Sequence, residues 1–234
     1  MSPSATRSSD DDRWRAWAAD GVRHRILLRV LPIQRHDVLG PLSVLRMGLA
    51  VLKRRAADAA SDAADLQRRI GEADVQVGEA VRMVAALRQW DAASARPQAW
   101  AELAAQALRL VQTAASMGGH RVEPLEAADP GPGLRLDEAE AARLPYLLLG
   151  LLMHLQDTAP GPRLWRPRLL ADGLQLGLEP LAGAGGGDGA ALPALPSAQM
   201  IDAQALDLLL VDSGWVLART DRGALTEVRL QRPG

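Results

Sequence analysis

Residues Gln34 to Met47 read QRHDVLGPLSVLRM, and the fold of the amino-terminal part of the chain turns on that stretch. Its apolar residues belong to a longer series, Leu31, Val38, Leu42, Leu45, Leu49 and Leu52. Their mostly three-four alternation draws one narrow stripe along a helix. Pro32 and Pro41 interrupt the series, and each lacks a backbone donor, so kinks are expected there. A second stripe follows at Leu66, Ile70, Ala73, Val77, Ala80, Val84 and Leu87. It predicts a second long helix ending near Trp90, with the chain reversing between Ala56 and Ala64. Two long helices on a short connection form an antiparallel hairpin, and stripes this narrow expose apolar surface that a hairpin cannot bury alone. The expectation is a homodimer in which two hairpins make a four-helix bundle; the alternative is that the stripes pack on the rest of the chain.

On such a helix His36, Gly40, Ser43 and Met47 fall in one row beside the stripe, because residues three or four apart share a face. A glycine and a serine beside the histidine leave its imidazole open to another protein surface. A neutral imidazole, with an ordinary pKa of about 6.5, is a competent nucleophile near neutral pH and can accept and return a phosphoryl group. Asp37 adds a carboxylate one residue on. Adjacent helical residues point about 100° apart, so contact between the two is not automatic. A carboxylate near the ring could hold one tautomer, stabilise positive charge or accept a proton. For an isolated His-Asp pair the competing reading is a surface histidine beside a solvated charge.

The composition narrows the setting. The chain has 234 residues, 48% of them hydrophobic, which is enough for a substantial core. A formal charge of −1 with both signs intermixed leaves no electrostatic footprint for nucleic acid or an anionic membrane. The absence of cysteine excludes disulfides, thiolate metal sites and a cysteine nucleophile, and suits a reducing compartment, the cytoplasm by default. The start, MSPSATRSSDDDRWRAW, is polar and acidic and reads as a disordered tail over residues 1–19. The longest apolar run, Leu144 to Leu152, is short for a bilayer and contains Pro145 and Gly150.

Beyond Ser94 to Pro97 the pattern changes. Trp100 to Met117 is an amphipathic helix stopped by Gly118 and Gly119. Arg121 to Leu125 and Gly133 to Leu136 resemble short strands. Asp137 with Glu140 forms a capping-box signature for a helix reaching about Gln156. RLWRPRLL and LQLGLEPL flank the turn Ala171-Asp172-Gly173, a hairpin signal. AGAGGGDGAALPALPS reads as a flexible loop, since no lysine or Ser/Thr stands at phosphate-loop spacing. A helix from Asp202 to Val211 and a last hairpin around Thr220 to Gly223 complete an α+β domain on a mostly antiparallel sheet. His24, His120 and His154 have no second ligand at metal spacing, and Trp90, Trp100, Trp165 and Trp215 read as packing residues. No metal or cofactor is implied.

HDVLGPLSVLRMGLAVL resembles the H-box of the dimerisation and histidine-phosphotransfer domain of bacterial sensor histidine kinases, with His36, Asp37, Gly40, Pro41 and Leu42 at its positions. The element order from about residue 21 is similar to that family as well. The resemblance implies a histidine-phosphotransfer hairpin over 20–95 and an ATPase-like α/β sandwich over 96–234. The second domain departs from the family. Gly150 and His154 in GLLMHLQD stand where the kinases carry asparagines that help hold magnesium and ATP; EPLAG, Glu179 to Gly183, is a poor match to the adenine-contacting motif; and PALPSAQMIDAQALDLLL replaces the later glycine-rich motif. The chain thus resembles the histidine phosphotransferases whose kinase-like domain has lost ATP binding.

That resemblance implies a phosphorelay in which His36, assisted by Asp37, passes phosphoryl groups between aspartates of response-regulator receiver domains. The receivers would dock on Arg35, Gly40, Pro41, Ser43 and Met47, with any magnesium on the receiver, and an upstream hybrid histidine kinase is a further implied partner. The alternatives are a divergent kinase that phosphorylates His36 from ATP and a pseudokinase-like adaptor that binds receivers without chemistry. Glycine at position 40, where the kinases often use a polar residue for phosphatase chemistry, implies weak phosphatase activity.

Overall fold

The computed structural model describes residues 4–57, 62–86, 95–127, 133–181 and 199–233, with side chains from residue 11 onward apart from Ala86. The chain divides into two compact units, Arg29–Ser94 and the remainder, Met1–Leu28 with Ala95–Gly234.

Helix α1 (Ser4–Ala56) runs through both units, and α2 (Ala63–Ala86) completes the first. α1 starts at Ser4, so helix occupies most of the 1–19 stretch expected as a tail, and its assignment continues through Pro32 and Pro41. Residues 58–61 of the reversal expected between Ala56 and Ala64, and the expected end of the second helix near Trp90, lie outside the described residues. In the Arg29–Ser94 unit the stripe is poorly covered by its own chain: Leu31, Leu42 and Leu49 on α1 and Ile70, Val77 and Val84 on α2 are exposed. Leu49, Leu52 and Ala56 face Leu66 and Ile70 across an apolar groove of about 630 Å³. The first turns of α2 are held by charge. Asp65 accepts from Arg68 and Arg69, whose hydrogen bonds, Arg69 first, hold its carboxyl below the usual range.

The other unit is α+β. Strand β1 (Gln98–Ala99) leads into α3 (Trp100–Met117), and then come β2 (Arg121–Val122), β3 (Glu126–Ala127) and β4 (Arg135–Leu136). Helix α4 (Glu138–Thr158) precedes the hairpin β5 (Arg163–Leu170) and β6 (Gly173–Pro180). Helix α5 (Ala203–Ser213) precedes the hairpin β7 (Val216–Arg222) and β8 (Leu225–Gln231). The main sheet is mixed: β5-β6-β8-β7 is antiparallel, whereas β2 and β3 both lie parallel on the free edge of β5. β1 and β4 form a separate antiparallel pair. The glycine-rich stretch around Gly185 falls outside the described residues.

Alternation places the core. Trp165 and Pro167 on β5, Leu174, Leu176 and Leu178 on β6, and Val228 and Leu230 on β8 are buried, and Trp165 pairs with Leu178 and Leu176 with Val228 across the ladder. Residues at alternate positions of a strand share one face, so these make a single apolar sheet surface for the helices to cover. α4 is the central helix: from Leu144 to Met153 every residue is buried, Pro145 and Gly150 included. Its start is fixed by a reciprocal capping box, with Glu140 N donating to Asp137 Oδ1 at 2.8 Å and Asp137 N to Glu140 Oε2 at 3.1 Å. α5 is capped by Asp202, which accepts from Ala205 N at 2.8 Å, and closes at Gly214 in the left-handed conformation. Trp100 and Trp215 are buried with ring centroids 4.7 Å apart. Among the described residues no helix is long and apolar enough to cross a membrane.

Candidate functional site

Of the residues singled out in the first unit, His36, Gly40, Ser43 and Met47 share one face of α1, and Arg35 and Pro41 flank it. Arg35, Gly40, Ser43 and Met47 are exposed, Pro41 is half-buried, and the His36 side chain is 85% accessible. No atom comes within 4 Å of a Cβ placed on Gly40. The histidine therefore stands next to an open position on its own helix face, as the i, i+4 spacing requires. Histidine and carboxylate do meet: His36 Nδ1 lies 3.4 Å from Asp37 Oδ1, and the Asp37 side chain is 42% accessible. In the tautomer that carries its proton on Nδ1, the ring donates to this carboxylate and the Nε2 lone pair points away from it. A contact that long between exposed groups orients the ring more than it stabilises the helix.

In the α+β unit the two positions where the kinase-like resemblance expects asparagines are spent on packing. A Cβ on Gly150 would lie 2.7 Å from Leu209 Cδ1 of α5 and 3.2 Å from Ile26 Cδ1 of α1. His154 Nδ1 is 2.7 Å from the Ile201 carbonyl, and one turn on Asp157 accepts from Ile201 N at 3.0 Å. Both backbone groups of Ile201 are thereby bound to α4, and its side chain is fully buried. Sequence reading missed Ile26 as a member of this cluster. The signal was present in the spacing of Ala19, Val22 and Ile26, all buried on α1, which lies outside the stripe at Leu31 and beyond.

His120, without a partner at metal spacing, is a buried structural group. Its Nδ1 accepts from Arg163 N at 3.1 Å, and its ring tilts against Trp165 with centroids 5.5 Å apart. Burial first, and then the charge of Arg163, push its pKa below the ordinary 6.5. Among the described residues no group of three or more His, Asp or Glu side chains could hold a metal.

No family model matches the chain, and no curated protein matches it. Solved structures show a distant likeness. A bacterial phosphotransferase is 13% identical, with 88% of this chain and 95% of that one covered and a TM-score of 0.41. The cytoplasmic segment of histidine kinase QseC is 11% identical, over 60% and 74% of the two chains, with a TM-score of 0.41. Histidine kinase ThkA, solved with response regulator TrrA, is 11% identical over 97% of this chain and 66% of the other, with a TM-score of 0.37. Likenesses at these scores assign no chemistry to this chain.

Proposed function

We propose that this chain is a phosphorelay histidine phosphotransferase: His36 takes a phosphoryl group from the aspartate of one receiver domain and returns it to that of another, on a homodimeric four-helix bundle, without ATP. The observation that carries the reading is the His36 site itself, an accessible imidazole whose Nδ1 faces Asp37 and whose helix neighbour one turn on is Gly40 with open space beside it. In the forward step the Nε2 lone pair attacks phosphorus, an N–P bond forms, and the P–O bond to the donor aspartate breaks with the electron pair leaving on its carboxylate. The imidazolium so formed keeps its Nδ1 proton, and Asp37 offsets the positive charge. In the return step the acceptor carboxylate attacks phosphorus and His36 leaves as neutral imidazole. Each step exchanges one bond to phosphorus for another, so no nucleotide enters the balance. The crowding at Gly150 supports the same reading, because Leu209 and Ile26 stand where an ATP-holding side chain would project. The uncovered leucines of α1 support the dimer, since apolar stripes of this length seek a partner surface.

The test offers the purified protein phosphorus-labelled receiver domain and, separately, labelled ATP with magnesium, with His36→Ala alongside. Label acquired from the receiver and reduced at least about 100-fold in the variant is expected, the scale of losing a nucleophile or its base. Label acquired from ATP would make the protein a kinase, and transfer that survives in His36→Ala would remove His36 from the chemistry.

A further inference from the structure

The stripe of α1 does not begin at Leu31. Counted back in the same heptad phase, the a positions are Trp14, Gly21 and Leu28 and the d positions are Trp17 and His24. All five are exposed; Trp14 is 66% accessible, and Trp17 and Leu28 are each 57% accessible. The opposite face of the same turns is occupied by the chain's own α+β unit. Ala19 and Ile26 at f and Val22 at b are buried, and Arg23 at c pairs with Asp212 of α5. One helix segment thus has two apolar sides, one covered by its own chain and one bare. The bare side carries an edge-on indole pair, with centroids 5.3 Å apart, whose rings are both more than half exposed. Gly21 sits in mid-helix with no atom within 4 Å of its Cβ direction, so its small size serves no contact among the described residues. Mid-helix glycine is unfavourable by about 1 kcal/mol relative to alanine and is accounted for where another backbone comes close.

We infer that residues 14–28 pair with the same residues of a second copy as a parallel, in-register two-stranded coiled coil, extending the helical dimer interface amino-terminal to His36. The inference rests on the dimer proposed above. A second copy is the occupant that the pattern specifies, because a heptad seam is self-complementary when parallel. The charges flanking it agree: Asp20 at g stands five residues before Arg25 at e, the spacing that sets opposite charges against each other across a parallel pair. Asp20 is also held by Arg23 Nη1 at 2.6 Å, and Arg25 Nη1 donates to Met200 O at 3.0 Å. Both are therefore anchored by their own chain at the margins of the seam. Aromatic side chains bury about 150–250 Å² each, so two half-exposed indoles supply roughly a quarter of the ~800 Å² per partner of a standard interface.

Because the chain has no cysteine, single cysteines report the geometry directly. His24→Cys and Leu28→Cys in the full-length protein, under mild oxidation, should each form a disulfide-linked homodimer, since facing seam positions fall within disulfide reach only in a parallel, in-register pair. Asp12→Cys, at an f position on the side of α1 that faces α5, away from the seam, should remain unlinked. Trp14→Ala with Trp17→Ala should raise the dimer dissociation constant by about 10-fold or more, as expected for paired aromatic anchors. Leu45→Cys, in the stripe beyond His36, separates the two levels of failure. If it links while His24→Cys and Leu28→Cys do not, the bundle dimer stands and this inference falls. If none of the three links and the protein sediments as a monomer, the dimer falls with it. Linkage of Asp12→Cys as fast as His24→Cys would mean random collision and would also overturn the seam.

Discussion

The two units of the chain spend similar apolar residues in opposite ways. From Arg29 to Ser94 the leucines, isoleucine and valines of the stripe stand largely uncovered, and the histidine among them is almost fully accessible. In the α+β unit every residue from Leu144 to Met153 is buried, and even the gap at Gly150 is taken by Leu209 and Ile26. The open leucines suit the proposed protein partners, whereas a side chain at Gly150 would collide with Leu209 and crowd Ile26. That difference supports the proposal that the phosphoryl chemistry sits on the bare helix.

The strongest way to break that contrast is to spoil the bare stripe. Leu42→Asp with Leu49→Asp should raise the dimer dissociation constant at least about 100-fold, because four carboxylates would face a desolvated seam. Sedimentation against concentration measures this, and unchanged association would mean that the leucines are bare for some other purpose. The second attack fills the full unit further. Gly150→Asn introduces the residue type that the kinase resemblance implies for ATP binding, and it should destabilise the protein by about 2–4 kcal/mol through overpacking and an unpaired buried amide. Denaturant unfolding reads the loss, and nucleotide-dependent stabilisation of the variant would contradict it.

A subtler probe of the buried unit is His120. The folded protein holds this imidazole neutral below its ordinary 6.5, so the unfolded chain takes up a proton that the folded chain refuses. Stability is therefore undiminished above about pH 6.5 and falls as the pH drops below it, by at most about 1.4 kcal/mol per pH unit. His120→Gln retains an acceptor for Arg163 N and should flatten that slope in unfolding curves taken between pH 7 and pH 5. The smallest effect belongs to the open face. Gly40→Ala meets no neighbour and should stabilise the helix by about 0.5–1 kcal/mol, yet slow phosphoryl transfer from a receiver. Stabilisation with an unaltered rate would mean that the gap beside His36 is not used for docking.

Much of this architecture was legible before any coordinates. Trp100 to Met117 is helical over the span expected, because Gly118 and Gly119 stop it, and the reciprocal contacts of Asp137 and Glu140 follow from their spacing. The hairpin around Ala171-Asp172 and the open row His36, Gly40, Ser43 and Met47 follow from periodicity alone. Other features left weaker traces. The first turns of α1 are polar and acidic, and the buried residues that follow, Ala19, Val22 and Ile26, are too few to stand out as a stripe. The parallel seating of β2 and β3 on β5 involves two residues each, too few for an alternation to show. Contact between His36 and Asp37 needed a rotamer, and spacing fixes no rotamer between adjacent helical residues.

Strand β7 ends the sheet, and most of its residues are exposed. Arg219 lies 3.3 Å from Asp221, Asp221 accepts from Thr226 at 2.7 Å on β8, and Arg222 follows on the same rim. Charge so placed makes this rim a poor template for strand addition. Sheet-linked growth through this rim should accordingly be disfavoured, which leaves the bare stripe of α1 as the stronger route to reversible self-association.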